Sequence, residues 1–91
     1  MPQKRAHIIF KGTVHGVGFR WTAERMANSI GLTGWVRNCT DGTVEVLCEG
    51  HGEKINTFVN KIKQAMGAYI RACEIMWEKP TGEFGSFIIM F

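Results

Sequence analysis

Apolar positions along the chain switch between two spacings, one near two residues and one near 3.6, and the switches mark out its elements. Residues 5–13 carry the run Ile8-Ile9-Phe10 and reach Gly12, which predicts a strand opening into a glycine-punctuated loop over 14–19. From Trp21 to Ile30 the apolar residues Ala23, Met26, Ala27 and Ile30 fall at i, i+3, i+4 and i+7, one face of a helix that Gly31 stops. Ile55, Phe58, Val59, Ile62 and Met66 repeat the helical spacing, with Lys54, Lys61 and Lys63 outside the stripe and Gly67 as the expected terminator. Residues 69–77 and 86–91 read as two further strands around the turn-forming cluster Lys79-Pro80-Thr81-Gly82.

Between the helices, residues 33–40 and 43–50 flank Asp41-Gly42, a strong hairpin signal. A two-residue loop would set Val36 opposite Leu47 and mix valine with polar residues on each face. A three-residue loop, Thr40-Asp41-Gly42 with Gly42 left-handed, collects Val36, Val44, Val46 and Cys48 on one face and sets Arg37 opposite Glu45 on the other. Burying each valine is worth about 1.5–3 kcal/mol, against about 0.2–1 kcal/mol for the cross-strand ion pair. Burial therefore fixes the three-residue register, and Asn38 shares the valine face.

The order strand, helix, strand, strand, helix, strand, with a short C-terminal strand appended, is the split βαβ pattern of ferredoxin-like folds. The expected class is α+β: an antiparallel sheet with two helices on one face, forming a single domain over residues 1–91. Apolar residues make up 45% of the chain and charged residues 21%, an ordinary globular balance. The three cysteines, Cys39, Cys48 and Cys73, are odd in number and lack C-x-x-C spacing, which argues against a disulfide framework and a zinc site and for a reducing cytoplasm. They are expected to pack as small apolar side chains, Cys48 on the inner sheet face and Cys39 beside the site. No stretch is long and apolar enough for a signal peptide or a bilayer span, so a soluble, cytoplasmic protein without a membrane partner is expected. The net charge of +3 is scattered rather than gathered in a stripe, and the third strand carries no aromatic. Both features point to a small anion rather than a nucleic acid.

Residues 12–20, Gly-Thr-Val-His-Gly-Val-Gly-Phe-Arg, lead from a strand straight into a helix. Backbone N–H groups of such a turn can converge near the positive end of the helix, a geometry that binds phosphate. Gly16 and Gly18 tolerate left-handed angles and leave no side chain in the path of an anion. Arg20 closes the cup with a planar fork of donors that can hold two phosphate oxygens.

That segment, followed by Gly-Trp-Val-Arg-Asn-Cys-Thr-Asp-Gly-Thr-Val-Glu at 34–45, closely resembles the acylphosphatase family. The resemblance extends over both helices and the Phe-rich C-terminal strand. It implies hydrolysis of the carboxyl-phosphate bond of acyl phosphates, giving carboxylate and inorganic phosphate, without metal or other cofactor. The family's phosphate-binding arginine matches Arg20, its water-orienting asparagine matches Asn38, and its phosphate-cradling loop matches His15, Gly16, Val17, Gly18 and Phe19. Position 15 departs from the more usual Gln; with a cradle built from backbone amides, His15 is expected to alter little beyond local hydrogen bonding, and no general-base role is assigned to it. The expected partner is a small acyl phosphate, with inorganic phosphate as product and competitive inhibitor and the chain acting as a monomer. The alternative is a non-catalytic ferredoxin-like module that binds RNA or a small anion.

Overall fold

The computed structural model describes residues 3–91. Strand β1 spans Gln3–Gly12, helix α1 Phe19–Ile30, β2 Thr33–Asn38, β3 Val44–His51, helix α2 Gly52–Met66, β4 Ile70–Glu78 and β5 Phe87–Ile89. Gly31 ends α1 in the left-handed conformation expected of it. α2 ends at Met66 with Gly67 as its C-cap, where the terminator was expected; Gly67 is right-handed, and the chain runs on through one 3-10 turn, Gly67–Tyr69, before β4.

The strands form one sheet in the order β4-β1-β3-β2-β5. The four long strands pair antiparallel, and the hairpin adopts the three-residue register, with Val36 opposite Val46 and Arg37 opposite Glu45. Cys39 N–H donates to Thr43 O at 2.9 Å, and Gly42 closes the turn at φ 89°. The appended strand departs from the antiparallel expectation: β5 pairs parallel to β2, with Gly34 opposite Phe87 and Val36 opposite Ile89. Its direction follows from where β4 ends. Glu78 lies beside Arg5, at the sheet end away from the β2–β3 turn. Residues 79–86 must therefore cross at that end, and a strand returning along the free edge of β2 can only run back toward the turn.

Alternation along the strands sends Ala6, Ile8, Phe10, Val36, Val44, Val46 and Cys48 to the inner face, all fully buried. Against them α1 lays Phe19, Ala23 and Ala27, and α2 lays Ile55, Phe58, Val59, Ile62 and Met66. The helices cover that one face, as the order of elements implies. Two tilted aromatic pairs join the layers: Phe10 with Phe19 at 5.0 Å between centroids, and Phe58 with Phe87 at 6.1 Å. Each pair adds about 0.5–1.5 kcal/mol beyond area burial. Cys48 lies in this core, where burial and then the nearby Glu49 charge push its thiol up to about 12, so at neutral pH it packs as an apolar group.

The outer face mixes apolar side chains such as Trp35, Leu47 and Met76 with charged ones. Glu45 receives hydrogen bonds from His7 and from Arg37 Nε. Glu49, only 5% exposed, accepts from Thr81 N–H at 2.8 Å, Gly82 N–H at 2.9 Å and the Thr81 hydroxyl at 3.1 Å. Arg5 stands 3.5 Å from the same carboxylate. One side chain of β3 thus pins the 79–86 crossing to the sheet.

Candidate active site

Three consecutive partners across the sheet explain how distant segments meet. Phe10 lies opposite Val44, and Val44 opposite Asn38, so the end of β1, the start of β3 and the end of β2 form one row. The glycine loop leaves β1 just beyond Phe10, and Asn38 closes the row on the helix side of the sheet. Because β5 runs parallel to β2, Ile89 and Phe91 reach the same end, with Met90 N–H donating to Val36 O at 2.8 Å.

A cleft of about 170 Å³ opens there, lined by Val14, Gly16, Gly18, Phe19, Arg20, Trp21, Asn38, Ile89 and Phe91. Pockets for drug-sized ligands run about 300–1,000 Å³, so this cleft suits the head of a small anion rather than a whole nucleotide. Gly16 and Gly18 have φ of 74° and 77°, and a Cβ at either would meet nothing within 4 Å. The constraint on them is the backbone angle and the open approach, not crowding from the protein. Gly18 is the N-cap of α1 without any side-chain cap, and no acidic residue occupies the first turn. The first-turn N–H groups and the helix dipole are left for a ligand.

Arg20, in that first turn, forms no ion pair among the described residues. Its guanidinium lies 5.1 Å from the Phe91 ring centroid. Asn38 has a buried Oδ1 without any protein partner. An asparagine before a hairpin turn often bonds the turn backbone itself, but here Asp41 does so, its Oδ1 accepting from Thr43 N–H at 3.0 Å and from the Thr43 hydroxyl at 2.7 Å. Those two bonds, the hydroxyl first, hold the Asp41 carboxyl below its ordinary range. The turn does not need Asn38, and a buried acceptor without a partner costs about 1–3 kcal/mol. That penalty calls for a role outside the turn.

Of the positions expected to cradle phosphate, Gly16, Gly18, Phe19 and Arg20 line the cleft together with Asn38. Two do not: Val17 packs against the core, and His15 Nε2 donates to Thr43 O at 2.8 Å. Cys39, expected beside the site, turns its thiol to Glu45, 3.7 Å away on the outer face. The walls formed by Val14, Trp21, Ile89 and Phe91 were not foreseen. Trp21 carried a signal in its place next to Arg20; Ile89 and Phe91 carried none, because their arrival depends on the parallel pairing of β5.

A family model described as acylphosphatase matches residues 6–89. An acylphosphatase of Thermococcus kodakarensis is 40% identical over 98% of this chain and 99% of its own length. One from Roseiflexus is 39% identical over 100% of this chain and 99% of its own. The crystal structure of acylphosphatase from Bacillus subtilis superposes with a TM-score of 0.90 at 30% identity, covering 97% of this chain and 99% of that one. Matched in sequence from the first strand to the last, and in fold over the same extent, the chain belongs to the acylphosphatase family and is an enzyme of that class, acting on small acyl phosphates.

Proposed function

We propose that Arg20 and the backbone amides of residues 15–19 hold the phosphate of an acyl phosphate while Asn38 orients the water that attacks it. The observation that carries this reading is the sharing of one cleft by a left-handed glycine turn, a guanidinium without an ion pair and a buried carboxamide oxygen without a protein partner, both among the described residues. Water adds to phosphorus as the bond to the acyl oxygen breaks, and the bonding pair leaves on the carboxylate. One water proton passes to solvent or a phosphate oxygen, and the products are carboxylate and inorganic phosphate. A carboxylate is a weak base and departs unprotonated, so the site needs no general acid. In a loose transition state the water is barely bonded, and a neutral amide that donates and accepts can place it without deprotonating it.

Arg20 and the loop amides stabilise charge on the phosphoryl oxygens. Loss of one such preorganised donor costs about 2.7–4 kcal/mol of activation energy in comparable sites. The guanidinium supplies this positive charge permanently, which supports turnover without a metal ion. Three free thiols, two of them raised mainly by burial, support a reducing cytoplasm.

The test is benzoyl phosphate hydrolysis in the presence of EDTA, with inorganic phosphate as inhibitor. Arg20→Ala is expected to lose both phosphate inhibition and turnover, whereas Asn38→Ala keeps phosphate affinity and loses rate. An Arg20→Ala variant as fast as the parent would falsify the assignment.

A further inference from the structure

We propose that the His15 imidazole is a positioning residue, tying the phosphate loop to the strand that carries Asn38 and so setting the distance between bound phosphate and oriented water. This inference rests on the acyl phosphate mechanism given above. The loop that begins after Thr13 is seated by the apolar side chains of Val14 and Val17 but has few hydrogen-bonded anchors. Thr13 N–H donates to Tyr69 O at 2.9 Å, and Gly18 O accepts from Thr22 N–H at 3.0 Å. Between them lie two glycines in left-handed conformations, with nothing beside their Cα atoms to hold them. Among the described residues, the bond from His15 Nε2 to Thr43 O is the only hydrogen bond that leaves this stretch for the hairpin.

The acceptor matters more than the bond. Thr43 O also accepts from Cys39 N–H, the residue directly after Asn38, so one carbonyl receives both the loop and the end of β2. Thr43 itself is fixed by two bonds to Asp41. Two hydrogen bonds sharing one carbonyl thus lead from the loop to the residue next to Asn38. The His15–Thr43 bond is part-buried, so water competes poorly for either group. Position 15 thus contributes its side chain as well as its backbone.

Arg20 stands on α1 and keeps its place when this link is cut, whereas the loop amides shift relative to Asn38, so the rate should fall further than phosphate affinity. A misplacement of about 1 Å can cost on the order of 10²-fold in rate. His15→Ala is therefore expected to lower kcat for benzoyl phosphate by roughly tenfold or more, with a clearly smaller rise in the inhibition constant of inorganic phosphate. His15→Gln, whose amide N–H can reach the same carbonyl, should recover most of the lost rate. If His15→Ala melts below the assay temperature, His15→Asn replaces it, since its shorter amide stays polar without spanning to Thr43 O. The decisive measurement is a double-mutant cycle with Asn38→Ala. If His15 acts through Asn38, removing it from the Asn38→Ala background costs little further rate. The inference is overturned by parent-like kcat in His15→Ala, by equal losses of rate and phosphate affinity, by a His15→Gln as slow as His15→Ala, or by a full additive loss in the cycle. No hydrolysis by the parent would overturn the mechanism itself; normal hydrolysis with an inert His15→Ala would sink the tether alone.

Discussion

Replacing Asn38 with alanine separates a functional residue from a structural one, because the two roles predict different changes in stability. The Oδ1 of Asn38 is buried and has no protein partner among the described residues. Removing it breaks no bond of that oxygen within the described fold, while alanine at a strand end forfeits up to about 1 kcal/mol of β preference. The net is a variant within about 1 kcal/mol of the parent, each kcal/mol moving Tm by about 4–8 °C for a domain of this size. Turnover should fall meanwhile by about 10²–10³, the scale seen when one preorganised group is lost from an active site. Urea unfolding at equilibrium, thermal melts and benzoyl phosphate hydrolysis on the same preparation measure all three. An Asn38→Ala protein destabilised by more than about 1 kcal/mol, or one that keeps the parent's rate, would show that Asn38 serves the hairpin and that the water is placed by another group.

Two further expectations concern the scaffold. Phe10→Ala empties a fully buried position that packs on Phe19 at the start of α1, and should lower stability by about 3–5 kcal/mol in urea unfolding; a loss below about 1 kcal/mol would mean the core does not depend on this contact. Glu49 gives an acid signature. Burial alone raises its carboxyl, but hydrogen bonds from Thr81 and Gly82 and the charge of Arg5 outweigh burial and hold it below the ordinary 4.5. Its folded-state pKa is depressed, so its contribution is complete above the unfolded value and is lost as pH falls from about 4.5 through the lower folded one. Glu49→Gln should flatten the fall in Tm below that point, and an unaltered slope would mean the crossing is held by other contacts.

The hairpin was legible in the sequence because a period of two leaves only one register that buries Val36, Val44, Val46 and Cys48 together. The helices were legible for the same reason at a period of 3.6. Gly67 marks the end of α2 as expected, but a residue type alone does not dictate the angle by which it stops a helix; here it is right-handed and a 3-10 turn carries the chain into β4. The direction of β5 is set by where residues 79–86 cross the sheet, a property of tertiary structure, and the strand is only three residues long. Arg20 and the glycine turn could be picked out by local chemistry, whereas Asn38 could be picked out only through the resemblance to acylphosphatases, since an asparagine before a turn reads alone as a turn residue. The Ile89 and Phe91 walls could not, since they arrive from the far end of the chain. His15 was read through its backbone, and its side-chain bond to Thr43 became visible only once the hairpin was folded beside the loop.

The cleft joins the Val14–Trp21 segment to Asn38, Ile89 and Phe91, which are neighbours in space but far apart in the chain. An unfolded chain does not assemble the recess, and an anion bound there favours the native state. At a concentration one hundred times its dissociation constant, such a ligand adds about 2.7 kcal/mol against unfolding. If inorganic phosphate is held there as proposed, product accumulation would slow this catalyst and preserve it at the same time through one contact surface.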